Sequence, residues 1–197
     1  MSSHQYFRLA NLLTFTRLLL TVPFFFFFRA KMMLPSAVCF GLAAITDLLD
    51  GKIARKEGIT EFGSFMDSIV DKVLVATALI SFCLFQHELL VNNVRLIPIW
   101  MVVVILGREF VVTTVRIFVV AKNGDVISAN KWGKYKTATQ LTIITISLVL
   151  LIFFIDTEFV IQQYGPIFFM MLLPVVLTVA SGIEFLYGNR KVFSAKT

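Results

Sequence analysis

Charge is scarce in this chain. Only 15% of its 197 residues are Asp, Glu, Lys or Arg, while 58% are hydrophobic and the mean hydropathy is +0.86. A soluble domain carries about 25% charged residues, so a solvated globular domain is excluded. Cysteine and histidine are rarer still, with two of each. Cys39 and Cys83 stand far apart inside apolar stretches, which argues against a disulfide framework or thiolate metal site and for packed, reduced thiols. Neither His4 nor His87 has a metal-ligand neighbour at useful spacing. Short alternating strands are missing, which excludes a membrane β-barrel. Despite a net charge of +6, no basic surface with aromatic or groove-reading elements stands out, so no nucleic-acid partner is expected. Linkers, low-complexity inserts and internal repeats are absent too, and residues 1–197 read as one domain.

What fills the chain instead is long apolar runs, enriched by 21 phenylalanines. Crossing a bilayer takes about 20 largely apolar residues in a helix, and runs of that kind cover approximately 9–28, 33–54, 63–86, 94–121, 137–156 and 165–187. The expected fold is all-α: a polytopic membrane protein of six transmembrane helices, with a short N-terminal interfacial helix before the first. That first run does not read as a cleaved signal peptide, because it is long, lacks a small-residue cleavage site and carries Asn11, Thr14 and Arg17. Phe24 to Phe28, five consecutive rings, read as lipid contact near the outer interface. Orientation follows from Lys and Arg. With the N-terminus inside, the inner segments hold Arg8; Lys52, Arg55 and Lys56; Lys122, Lys131, Lys134 and Lys136; and Arg190, Lys191 and Lys196. The outer loops hold only Arg29, Lys31 and Arg95. Both termini are therefore expected on the cytoplasmic side of the cell inner membrane.

The few acids are not scattered. Asp47, Asp50, Asp67 and Asp71 form the pattern D-x-x-D-G-x-x-A-R, seven residues, then G-x-x-x-D-x-x-x-D. Spacings of three and four put each pair on one helix face. Both pairs lie at the cytoplasmic ends of apolar runs, where an ionised carboxylate costs roughly 2.5 kcal/mol or more, and four together repel one another. A hard divalent cation resolves both problems, since Mg²⁺, Mn²⁺ and Ca²⁺ take oxygen ligands. Four carboxylates can hold two such ions about 3.5–4 Å apart and clamp a diphosphate between them, as phosphoryl-type transfer requires. One carboxylate can serve as general base on an incoming hydroxyl, and Asp71 is the candidate. Gly51, Ala54 and Gly63 remove bulk where a phosphorylated ligand would approach, and Arg55 offers a fork for a phosphate oxygen. Ion pairs with Lys52, Arg55, Lys56 or Lys72 would explain any one aspartate, but not four with small residues fixed between them.

The stretch DLLDGKIARKEGITEFGSFMDSIVDK, residues 47–72, resembles the signature of the CDP-alcohol phosphotransferase family. The resemblance implies six transmembrane helices, commonly a homodimer, and a cytoplasm-facing site of two Mg²⁺ or Mn²⁺ ions. It implies attack by an alcohol on the lipid-side phosphate of a CDP-linked donor, with CMP leaving. Carried across, Asp47, Asp50, Asp67 and Asp71 become metal ligands, Asp71 also the base, and Gly51, Ala54, Arg55 and Gly63 contacts to the CDP moiety. Two departures are visible: seven residues between Arg55 and Gly63 where relatives often have eight, and Ser68 where many have proline.

The acceptor must be sought elsewhere. Arg108 and Arg116 stand eight residues apart, close to one helix face within an apolar run, and Lys131, Lys134 and Lys136 follow. Intramembrane arginines need anionic partners; Glu109 meets part of that demand, and a bound phosphate could supply the rest. A bland alternative pairs Arg108 with Glu184 or another acid. GREFVVTTVR with SANKWGKYKTATQ, and LANLLTFTR near the N-terminus, are similar to the phosphatidylglycerophosphate synthase branch of the family, although Ala10-Asn11 stands where Pro-Asn is usual. That similarity implies CDP-diacylglycerol as donor and glycerol 3-phosphate as acceptor, and adds Asn11 and Thr14 to the CDP contacts. The rivals are an inositol phosphate acceptor within the family and, from another class, a divalent-cation transporter. Transporters show broken helices at the midplane and paired repeats, whereas these acids cluster at one membrane side.

Overall fold

The computed structural model describes residues 3–57, 61–85, 95–123, 131–162 and 164–188, with side-chain surroundings for 12–47, 49, 69–85, 95–115, 133, 135–162 and 164–188. Among these residues the fold is entirely helical: α1 Ser3–Arg29, α2 Met33–Glu57, α3 Glu61–Cys83, α4 Ile99–Asn123, α5 Lys131–Phe154, the single turn α6 Glu158–Ile161, and α7 Pro166–Gly188. Among the described residues three segments are long and apolar enough to cross a membrane, Leu12–Arg29, Tyr135–Phe154 and Glu158–Gly188, and Met33–Asp47 is a shorter apolar stretch. Beside these, α2, α3 and α4 are helices of 25, 23 and 25 residues.

The expected short interfacial helix is not separate. Residues 3–29 form one continuous helix, because no glycine or proline interrupts the chain before Pro23. α1 stops at Lys31, whose φ of 59° is left-handed. The Met32 amide donates to the Phe27 carbonyl at 2.9 Å and the Lys31 amide to Phe28 at 3.1 Å, the paired bonds that close a helix at a left-handed residue. This reversal sends α2 back along α1.

α1 packs on α2 and α3; α7 packs on α4 and α5; α2 against α5 and α3 against α4 join the two halves. Leu79, Phe82, Met101, Ile105, Ile144 and Met171 lie fully buried in a core shared by both. The phenylalanine run divides by helical phase. Phe24 and Phe28, four apart, are buried at 0% and 1%, whereas Phe26 is 65% exposed. Phe24 meets Phe40 at 5.6 Å between ring centroids, and Phe28 meets Phe82 edge-on at 5.2 Å. The reading of all five rings as lipid contact is therefore corrected: two of them clamp α1 to α2 and α3. Outside this core, large apolar side chains stand exposed on every long helix, among them Phe15, Leu42, Ile69, Val103, Phe153 and Leu173, as suits a protein surrounded by lipid.

Candidate active site

The aromatic clamp fixes the depth at which the polar residues meet. Arg17 and Asp71 each stand twelve residues before the end of their helix, and Asp47 fourteen after the start of α2. At 1.5 Å per residue all three lie about 18–21 Å from the same end of the bundle. They do meet. Arg17 is completely buried; its Nη2 lies 2.9 Å from Asp47 Oδ1, and its Nη1 donates to Asp71 Oδ1. One guanidinium thus gathers carboxylates from two different helices. The burial is asymmetric: Arg17 has no exposed side-chain surface, while Asp47 and Asp71 retain 28% and 42%. The cation lies beneath, and the carboxylates keep an open side. Thr14, one turn before Arg17, is also buried.

This donor set fits a divalent cation. Two carboxylates held together by a positive charge, with oxygen surface still accessible, are the hard ligands that Mg²⁺ or Mn²⁺ would take. Among the described residues no cluster of three or more metal-ligating side chains occurs. Asp50 and Asp67 belong to α2 and α3, but their side chains lie outside the described residues, as do the side chains of Asn11, Ala54 and Arg55 and the surroundings of Gly51 and Gly63.

Sequence reasoning treated Arg17 only as a charge within the first run. The signal was available: an ionisable residue inside a membrane span is by default functional, with a partner to be named. The partner could not be named, because Asp71 lies 54 positions away.

A second polar group lies between α4 and α5. Lys136, nearly fully buried, donates to Glu109 Oε1, so the acid expected to serve the arginines holds a lysine. Gln140 follows one turn along α5, also buried. Arg108 lies across α7: a Cβ added at Gly182 would come within 3.2 Å of its Cγ. The absence of a side chain at Gly182 is what lets the arginine pass. Glu184 Oε2 is buried and has no hydrogen-bond partner among the described residues. Arg116, Lys131 and Lys134 are on α4 and α5, with side chains outside the described residues.

Beside the first group, an apolar cleft of about 320 Å³ runs between α1 and α3, lined by Leu18, Thr21, Val22, Phe25, Phe26, Val73, Thr77 and Ile80. Leu18 adjoins Arg17 and Val73 is two residues beyond Asp71, so the cleft begins where the carboxylates end.

A relative from Bacillus subtilis (strain 168), a CDP-diacylglycerol–glycerol-3-phosphate 3-phosphatidyltransferase, is 38% identical over 157 residues, covering 79% of this chain and 74% of its own. CDP-diacylglycerol–glycerol-3-phosphate 3-phosphatidyltransferase 2 of Arabidopsis thaliana is 42% identical over 114 residues, 54% of this chain and 48% of its own. A cardiolipin synthase (CMP-forming) of Oryza sativa subsp. japonica is likewise 42% identical over 114 residues, 54% of this chain and 34% of its own. The profile of the CDP-alcohol phosphatidyltransferases matches residues 7–182, from the first turns of α1 to the glycine beneath Arg108. With Asp47 and Asp71 brought together inside that match, the chain belongs to the CDP-alcohol phosphatidyltransferase family.

Proposed function

We propose that the protein transfers the phosphatidyl group of CDP-diacylglycerol to glycerol 3-phosphate, giving phosphatidylglycerol phosphate and CMP. The observation that carries this reading is the convergence of Asp47 and Asp71, from the two halves of the aspartate signature, on one buried guanidinium. Asp47, Asp50, Asp67 and Asp71 would hold Mg²⁺ or Mn²⁺, two ions in the full site. When bound, the metal supplies charge neutralisation for the donor's diphosphate and for the departing CMP. Asn11, Thr14, Gly51, Ala54, Arg55 and Gly63 form the CDP contacts, and the cleft between α1 and α3 suits an acyl chain of the donor.

The acceptor's phosphate docks on Arg108, Arg116 and the Lys131, Lys134 and Lys136 group. Its free primary hydroxyl gives its proton to Asp71 and attacks the lipid-side phosphorus directly. One oxygen–phosphorus bond forms, the bond from that phosphorus to CMP breaks, and no side-chain nucleophile intervenes. Glu109 is paired with Lys136, which reduces the charge that lysine offers the acceptor's phosphate. The setting is the cell inner membrane, with six spans, both termini and the site cytoplasmic, and a homodimer as the working unit. Six helices of at least 23 residues and the bias of Lys and Arg support this topology.

The test is release of CMP by purified protein given CDP-diacylglycerol and Mg²⁺, with glycerol 3-phosphate or inositol phosphate as acceptor. CMP dependent on glycerol 3-phosphate is expected. Release with inositol phosphate alone would move the protein to the other acceptor class, and no release with either would overturn the assignment of both acceptors.

A further inference from the structure

We propose that Arg17 is a positioning residue for the metal: it holds Asp47 and Asp71 in ligating geometry from the buried side and is not itself displaced when the cation binds. This rests on the reading of those aspartates as metal ligands. Three helices contribute one residue each, and the only charge sealed completely from solvent among the three is the guanidinium. Its two terminal nitrogens reach different carboxylates, a two-armed grip that a planar fork provides and a point charge does not. The exposed surface of both aspartates leaves the opposite side open for a cation. An arginine that merely stood in for the metal would occupy the open side and be exposed with it.

The arrangement also solves a problem of timing. Before metal arrives, carboxylates in a poorly solvated site would push one another apart; Arg17 offsets part of that repulsion and keeps the ligands assembled. Groups that orient metal ligands from behind typically contribute 10–100-fold to metal affinity when tested by substitution.

The experiment is direct Mn²⁺ binding, read from the free-ion electron paramagnetic resonance signal, on the purified full chain and on Arg17→Gln and Arg17→Lys, with turnover measured across the same Mn²⁺ series. Arg17→Gln is expected to bind Mn²⁺ about 10-fold or more weakly, with turnover recovering at high Mn²⁺ and the KM for glycerol 3-phosphate unchanged. A simple folding defect would lower the amount of active protein without moving the Mn²⁺ midpoint. Arg17→Lys, which keeps the charge, is expected to fold even if the glutamine variant does not, and to fall between it and the parent. Wild-type or tighter Mn²⁺ binding in Arg17→Gln, or unchanged binding in Arg17→Lys, overturns the proposal, and tighter binding would identify Arg17 as a competitor of the metal. Should the parent chain bind no Mn²⁺ at all, the metal-dependent function falls together with it. Parent binding with an unmoved variant removes only the role of Arg17.

Discussion

At the scale of single residues, five ion-paired side chains, Arg17, Asp47, Asp71, Glu109 and Lys136, make up the two polar groups, and burial decides what altering each one costs. Removing one partner of a fully buried pair costs about 3–5 kcal/mol, because the other charge is left uncompensated. The cost at Asp71 is smaller, since 42% of its side chain is exposed and solvent can compensate. Asp71→Asn therefore separates chemistry from folding. Turnover should fall by about 10²–10⁴-fold, the contribution of a general base, while the protein still inserts and elutes as the parent does. Full activity with metal present would refute the assignment of both base and ligand. Lys136 is the contrary case. It is almost entirely sealed and held by Glu109, so its substitution would confuse binding with stability. Arg108, passing over Gly182, is the clearer probe of the acceptor.

At the scale of elements, the same helix serves the core and the site through its phase. α1 turns Phe24 and Phe28 inward toward α2 and α3, and about two to three turns earlier it places Arg17 between them. The neighbouring face, with Leu18, Val22 and Phe25, forms one wall of the apolar cleft, and Val73 and Thr77 of α3 form the other. If an acyl chain of the donor lies there, Val73→Trp should fill the cleft and raise the KM for CDP-diacylglycerol about 10-fold, the order of one or two lost methylene contacts. The KM for glycerol 3-phosphate should not change. Equal KM values for the lipid in both proteins would place the acyl chain elsewhere. The periodicity that makes these helices was plain in the sequence, and so was the helical spacing within each aspartate pair, because both depend on residues three or four apart. The division of the phenylalanine run was not, because it depends on which neighbour each face meets.

At the scale of the whole molecule, the two halves meet through α2 on α5 and α3 on α4. The topology proposed for this bundle predicts labelling by a membrane-impermeant maleimide in intact cells, with Cys39 and Cys83 changed to alanine. Lys31→Cys and Thr157→Cys should react from outside, and Gly188→Cys only after lysis. Reaction of Gly188→Cys in intact cells would invert the orientation. By itself the sequence determined that the chain is apolar and helical, that four aspartates share two helix faces, and that a metal and a phosphorylated ligand suit them. Those are local properties, set by composition and by spacings of one helical turn. Only the tertiary structure decided that Arg17 joins Asp47 to Asp71 and that Glu109 is taken by Lys136. Ion pairs between residues 27 and 54 positions apart depend on how helices rotate and slide against one another, and that is settled by packing such as the Phe24–Phe40 and Phe28–Phe82 contacts rather than by any pattern along the chain.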